Sequence, residues 1–81
     1  MAETILNLRG LKCPLPALKV RKALSRLAGG DVLLAACTDP LAAIDIPNLI
    51  RETGDAIEEA RQDGAVLTFR IRRIQGAQKT P

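Results

Sequence analysis

The order of apolar and polar residues along the chain predicts alternating strands and helices. A short apolar run from Thr4 to Leu8 predicts a first strand, which ends at Arg9-Gly10. From Pro14 onward the apolar residues recur in steps of three and four, which predicts one buried side of a helix formed by Ala17, Val20, Leu24 and Leu27. We expect Gly29-Gly30 to end this helix, because glycine adopts the left-handed cap conformation without penalty.

The next segment predicts a central strand followed by a second helix. The run from Asp31 to Cys37 is almost entirely apolar, which is typical of a buried strand pairing parallel to the first. A right-handed crossover would then bring the C-terminal ends of both strands to one edge of the sheet. Thr38-Asp39-Pro40 is a helix-start signal, and Gly54 ends the helix. Pro47 allows two interpretations: a short turn over Leu41 to Asp45 before the helix, or one kinked helix.

The last part of the chain predicts a hairpin. Ala56 to Gln62 and Ala65 to Ile74 are two strand patterns on either side of Asp63-Gly64. In the second pattern the core-facing residues Leu67, Phe69 and Ile71 alternate with Thr68, Arg70 and Arg72, so one sheet face is solvated or contacts a partner. This alternation favours a fold of two layers over one of three. We expect one domain over residues 1–74 and a frayed polar tail over 75–81.

Composition narrows the class of protein. The chain has 81 residues, of which 47% are hydrophobic and 26% charged, so we expect a soluble globular domain that does not enter a membrane. The first residues do not resemble a secretory signal, which favours the cytoplasm. The absence of histidine excludes Cys-His dyads, Ser-His triads and most zinc sites, and we expect no metal or other cofactor.

The positive charge of the chain is concentrated in its first third. The net charge is +3, and no acidic residue occurs between Thr4 and Gly30. That stretch contains the basic residues Arg9, Lys12, Lys19, Arg21, Lys22 and Arg26. Such residues usually form a solvated surface, but five of them lie close enough to Cys13 to suggest electrostatic docking of a partner: Arg9, Lys12, Lys19, Arg21 and Lys22.

Cys13 lies where the first strand meets the first helix, in the segment Cys13-Pro14-Leu15-Pro16. A residue before proline avoids the helical region, so Cys13 should cap the helix, and the prolines stiffen its first turn. We assign Gly10, Pro14 and Pro16 to positioning the thiol. The helix dipole together with Arg9 and Lys12 predicts a lowered pKa for Cys13 and favours an anionic persulfide. The alternative is an ordinary small hydrophobic residue.

Cys37 and two aspartate segments have simpler interpretations. Cys37 lies within an apolar strand and is expected to be a buried, inert thiol, although closeness to Cys13 leaves a disulfide or resolving role open. The C-x-x-C spacing of dithiol motifs is absent. Asp39-Pro40 and Asp45-Ile46-Pro47 are interpreted first as capping and turn residues, with partner docking as the alternative.

From Ile5 to Ile74 the chain resembles the TusA-like (SirA-like) sulfur-carrier family, which has a signature C-P-x-P segment. The resemblance depends on Leu8-Arg9-Gly10-Leu11-Lys12-Cys13-Pro14-Leu15-Pro16, Val20-Arg21-Lys22-Ala23-Leu24, Gly30, Thr38-Asp39-Pro40 and Asp45-Ile46-Pro47. It implies a two-layer α/β sandwich of order β-α-β-α-β-β, with a mixed four-stranded sheet and both helices on one face. This fold is similar to the C-terminal domain of translation initiation factor three.

The resemblance also implies a function. Cys13 would carry sulfur as a persulfide, making the chain a sulfurtransferase that works with partner proteins. The donor would be a cysteine desulfurase or a rhodanese-type protein, and the acceptor a downstream protein in a relay such as tRNA thiolation, molybdenum-cofactor supply, sulfur oxidation or selenium metabolism. We expect a monomer with no direct nucleic-acid partner, and a Cys13 thiolate that attacks the donor without a general base.

Two other functions remain open from the residues. The basic charge suggests an RNA-binding module, although the only aromatic residue, Phe69, is assigned to the core and no G-x-x-G loop is present. A thiol redox switch would instead form a reversible disulfide between Cys13 and Cys37.

Overall fold

A computed structural model of the chain describes residues 3–74. It contains four strands and two helices in the order β1 (Glu3–Leu8), α1 (Leu15–Leu24), β2 (Val32–Cys37), α2 (Ala42–Thr53), β3 (Ala56–Asp63) and β4 (Val66–Arg72). The expected tail over 75–81 lies outside the described residues. Neither helix is long and apolar enough to span a membrane.

The four strands form one mixed sheet in the order β1-β2-β4-β3. β1 pairs parallel with β2, while β4 pairs antiparallel with both β2 and β3. The apolar strand β2 therefore has a neighbour on each side, as its composition predicted. The β-α-β-α-β-β order and the mixed sheet confirm the predicted two-layer α+β fold.

One sheet face and both helices enclose the core. Its fully buried large side chains come from every layer, and they include Leu8, Val20, Leu24, Leu33, Ile46 and Ile71. The predicted core residues of β4 are confirmed, since Phe69 and Ile71 are buried and Leu67 packs against the cluster. The opposite face is open: Ile5 is 77% exposed, and Arg70 forms ion pairs with Glu3 and Glu58.

Two predicted turns were wrong in detail. Helix α1 ends at Leu24 with Ser25 as its C-cap, and Gly30 adopts a positive φ of 94° in the later turn that leads into β2. Both a helix cap and a tight turn use the left-handed conformation of glycine, so residue type alone did not distinguish them. In the hairpin, Asp63 pairs with Val66, so the loop is Gly64-Ala65, one residue later than predicted.

The second helix resolves the ambiguity at Pro47. Residues Ala42–Thr53 form a single helix with Pro47 inside it, so a separate turn before the helix was the wrong alternative. The predicted end is confirmed, because Gly54 is left-handed with φ 82° and its N–H donates to the carbonyl of Ile50. The first turn of α2 contains Asp45, which contacts the loop between β1 and α1.

Candidate functional site

Cys13 lies in the loop between β1 and α1, and its side chain is exposed. It lies outside the helix, as predicted, but it is not the cap: Pro14 is the N-cap and α1 begins at Leu15, so Cys13 lies one residue before the cap. The Cys13–Pro14 peptide bond is cis. Pro16 is buried against the core, which fixes the first turn of the helix. The thiol is therefore held outside the helix by a segment that is itself attached to the core.

Backbone contacts join this loop to the segment that follows β2. The N–H of Gly10 donates to Thr38 Oγ1 at 2.9 Å, and the N–H of Cys13 donates to Asp39 Oδ2. Gly10 has a positive φ of 87°, a conformation that L side chains rarely adopt. Asp39 also accepts the N–H of Leu41 through Oδ1 at 3.1 Å, which is a turn contact as predicted, but the predicted helix cap was wrong, because Leu41 is the N-cap of α2 and has no side-chain cap hydrogen bond. The parallel pairing of β1 and β2 places these two loops together.

The Cys13 sulfur contacts a carboxylate from the second helix. Cys13 Sγ donates a hydrogen bond to Asp45 Oδ2 at 2.9 Å. Asp45 lies in the first turn of α2 and is half-buried. The hydrogen bond to Asp45 is the main cause of a raised pKa for the Cys13 thiol, to which desolvation and the negative charges of Asp45 and Asp39 add.

The prediction of a thiolate-stabilising environment was therefore wrong. The sequence around Cys13 is basic, but the fold brings Asp39 and Asp45 to it from residues 26 and 32 positions away. A carboxylate that accepts the thiol proton stabilises the neutral form and opposes the anion. The related expectation that attack needs no proton acceptor assumed a thiolate, whereas the raised pKa of Cys13 favours the protonated thiol.

The basic residues proposed for docking lie around the loop and along α1. Within residues 3–74, none of them forms a hydrogen bond or ion pair with the Cys13 side chain. Arg9 Nε donates to Asn7 Oδ1 at 3.0 Å, and Arg21 pairs with Glu52 of α2 at 3.2 Å. Lys12, Lys19 and Lys22 are exposed. Their charges form a surface beside the thiol rather than a direct contact with it.

A groove of about 290 Å³ between α1 and α2 begins at Cys13. Both helices and the loop supply its apolar lining, which includes Pro14, Ala17, Leu18 and Leu49. Asp45 lies in the same groove, as does the Arg21–Glu52 ion pair that joins the two helices. Leu18 is 53% exposed although it is apolar. A group approaching the thiol through this groove would meet an apolar wall and, beside the sulfur, the carboxylate of Asp45.

Cys37 has the opposite environment. Its relative exposure is 0%, and it pairs in register with Leu8 of β1 and Leu67 of β4. Burial is the main cause of its raised pKa. The prediction of a buried thiol is confirmed.

Across residues 3–74 no cluster of three or more metal-ligating side chains is found.

Sequence reasoning identified Cys13 but missed Asp45 as its partner. Asp45 was interpreted as a turn residue beside Pro47, whereas it lies inside a continuous helix. The available signal was topological: the parallel pairing of β1 and β2 predicts that the segments after both strands meet at one edge. Any carboxylate soon after Cys37 was therefore a candidate neighbour of Cys13.

Comparisons with known proteins agree with this geometry. The family model described as Sulfurtransferase TusA matches residues 4–73. The sulfur carrier protein TusA of Allochromatium vinosum is 34% identical over 68 residues, covering 84% of this chain and 90% of that protein. The protein of the same name from Pseudomonas putida is 30% identical over 71 residues, covering 88% of this chain and 89% of that protein.

A solved structure supports the fold. The crystal structure of a SirA-like protein from Desulfitobacterium hafniense superposes with a TM-score of 0.77 and 21% identity, covering 93% of this chain and all of that one. At this identity the likeness shows the fold, and the family assignment depends on the sequence matches. With nearly the whole described domain inside the family model, this chain belongs to the TusA family of sulfur carriers.

Proposed function

We propose that the chain carries sulfur as a persulfide on Cys13 and transfers it to an acceptor protein, acting as a sulfurtransferase within a relay. The observation that carries the proposal is the contrast in access between the two thiols of the chain. Cys13 is exposed at the mouth of a groove, whereas Cys37 is completely buried. The family supports sulfur transfer in general, and Cys13 is the thiol that a partner can reach.

Loading is a thiol–persulfide exchange in which atoms and charges balance. The Cys13 sulfur attacks the outer sulfur of a donor persulfide, a new S–S bond forms, and the S–S bond of the donor breaks. The donor leaves as a thiol after receiving the proton that Cys13 loses. In the free chain this proton lies in the hydrogen bond from Cys13 Sγ to Asp45 Oδ2, at 2.9 Å. Transfer to the acceptor repeats the exchange with Cys13 as the leaving sulfur.

The partners we propose follow from this chemistry. A cysteine desulfurase or a rhodanese-type protein would supply the persulfide in the cytoplasm, and a second protein would accept it, for example in tRNA thiolation. The groove beside Cys13 and the exposed basic side chains along α1 offer a surface for both. Gly10, Pro14 and Pro16 would hold the thiol towards the partner, and no cofactor is needed because the sulfur itself is transferred.

The structure weakens the two other functions. Phe69 is 4% exposed, so the chain's single aromatic ring is not available to stack on a base. Cys37 is enclosed between β1 and β4, so forming a disulfide with Cys13 would require the core to open. Exposed thiol chemistry at one cysteine fits the observed arrangement better than either alternative.

Intact mass spectrometry tests the proposal. The chain is incubated with a cysteine desulfurase, its pyridoxal cofactor and cysteine, and its mass is measured before and after reduction. We expect a gain of one sulfur atom that dithiothreitol reverses. The gain should be absent in Cys13→Ala and retained in Cys37→Ala, a matched removal of the other thiol. Loading that persists in Cys13→Ala, or no loading by either a desulfurase or a rhodanese, contradicts the proposal.

A further inference from the structure

Asp45 differs from the other carboxylate in the groove beside Cys13. Glu52 pairs with Arg21 across the two helices, whereas no ion pair with Asp45 is found among residues 3–74. The hydrogen bond that Asp45 accepts comes from the Cys13 thiol, a neutral donor. A half-buried carboxylate without a cation, next to the reacting sulfur, is a ready contact for a positive group from outside.

The rest of the groove matches one kind of side chain. Its walls are largely apolar, from Pro14, Ala17, Leu18 and Leu49, and its volume of about 290 Å³ is enough for a long side chain. Lysine and arginine combine an aliphatic stem, which packs on apolar surface, with a terminal cation that seeks a carboxylate. The far end of the groove is already neutralised by Arg21 and Glu52, so the unmatched charge lies at the thiol.

We propose that a basic side chain of the sulfur-exchanging partner enters this groove and pairs with Asp45, and that this contact releases the Cys13 thiol for reaction. The occupant is a lysine or arginine of a partner protein, with its stem on the apolar wall and its cation at Asp45. This inference rests on the proposed function, because it describes how that function is switched on within the complex.

The physical reason is competition for one carboxylate. In the free chain Asp45 accepts the thiol hydrogen bond and holds the proton on sulfur. A cation that pairs with Asp45 offsets its negative charge and replaces the thiol as the hydrogen-bond donor. The sulfur then loses the interaction that favours its neutral form. Cys13 would thus be restrained in the free carrier and become nucleophilic where a suitable partner is bound.

Small disulfides of different charge test the contact without an identified partner. We would measure the second-order rate of mixed-disulfide formation at Cys13 with cystamine, which is cationic, 2-hydroxyethyl disulfide, which is neutral, and 3,3′-dithiodipropionate, which is anionic. Each rate is divided by that of N-acetylcysteinamide to remove intrinsic reactivity. In each reaction the Cys13 sulfur forms a new S–S bond, the reagent's S–S bond breaks, and half the reagent leaves as a thiol.

We expect the folded chain to prefer the cationic reagent. The cationic-to-anionic rate ratio should fall by about threefold or more in Asp45→Asn, the size expected of a single solvent-accessible charge contact. Asp63→Asn is the matched control, because Asp63 is exposed at the hairpin end of β3 and its removal changes the net charge equally. High salt should reduce the ratio in the unmodified chain.

Three results would overturn the inference. One is equal ratios in Asp45→Asn and Asp63→Asn, and another is a preference for the anionic reagent in the unmodified chain, which would assign the site to Arg9 and Lys12 instead. If Asp45→Asn does not fold, the ratio in the unmodified chain decides, and a ratio of one refutes the contact. None of these outcomes depends on desulfurase loading, so failure here leaves the carrier function to its own test.

Discussion

The two cysteines of this chain lie near the same edge of the sheet but have different chemical environments. Cys13 is exposed in the loop after β1 and donates its hydrogen bond to Asp45. Cys37 ends β2, is fully buried, and lies between Leu8 and Leu67 in the paired strands. Both thiols have raised pKa values, one mainly through a carboxylate hydrogen bond and the other mainly through burial.

This difference shows that thiol acidity does not distinguish Cys13, the proposed sulfur-carrying thiol, from the buried Cys37. A buried thiol is kept neutral by the loss of solvent, and only unfolding changes that. A thiol held neutral by one carboxylate can be released by anything that occupies that carboxylate. Access and a replaceable hydrogen-bond partner therefore distinguish Cys13, and each of these can be tested against Cys37.

The largest expected difference is in labelling rate. Iodoacetamide should alkylate Cys13 in the folded chain, while Cys37 reacts only through opening of the core. Because opened states are populated at about 10⁻³ or less, we expect Cys37 to be labelled at least ~10³ times more slowly. Peptide mapping by mass spectrometry measures both sites, and labelling in urea should make them equal. Similar rates in the native chain would remove the basis of the comparison.

A smaller effect is expected on stability. Cys37→Ser replaces a buried thiol by a hydroxyl that needs a hydrogen bond, which should lower the free energy of unfolding by about 1–3 kcal/mol. Urea denaturation followed by circular dichroism measures this loss. Cys13→Ser is the matched control and should leave the midpoint almost unchanged, because the side chain is exposed. A larger loss of unfolding free energy in Cys13→Ser than in Cys37→Ser would contradict this expectation.

The smallest effect sharpens the cause of the raised pKa at Cys13. Asp45→Asn removes the carboxylate that holds the proton, so the thiol pKa should fall and the pH profile of alkylation should move to lower pH. At a fixed pH below the midpoint, more of the thiol is ionised and the rate rises. Asp39→Asn should move the profile in the same direction but less, because its charge is the weaker cause.

The opposite result is equally informative. A profile that stays in place in Asp45→Asn would mean that the 2.9 Å contact does not control ionisation. A profile that moves to higher pH would mean that Asp45 supports the thiolate. In Asp45→Asn the slow labelling of Cys37 should be unchanged, since burial and the charge of Asp39, not Asp45, raise the pKa of Cys37.

Much of the fold was predictable because the local patterns agree with it. The unbroken apolar run of β2 specified a strand buried between neighbours, and the residues of α1 at steps of three and four are the ones that pack on the core. The errors fell at glycines. Gly30 adopts a left-handed conformation, but a helix cap and a strand-entry turn use that conformation equally, so its role depends on where α1 stops packing.

At the site, chain order revealed the thiol but not its electrostatics. Cys13-Pro14-Leu15-Pro16 requires a residue outside the helix, whatever surrounds it, because proline restricts the backbone on both sides. The electrostatic prediction had a different basis: the basic residues near Cys13 in the sequence suggested a thiolate. Basic residues close in sequence did not predict the direction of the Cys13 pKa shift. A hydrogen-bonded carboxylate affects the thiol pKa more than exposed cations do, because water screens the cations.

The sequence alone was enough to identify the strands, the helices and an exposed cysteine before a helix, because proline positions and apolar periodicity predict them. The contact between Cys13 and Asp45 exists only because β1 and β2 run parallel and α2 continues through Pro47. Proline and apolar periodicity act over a few residues, so they can be read along the chain. An ionisation state depends on whatever charge is nearest in space, and folding brought that charge from 32 residues away.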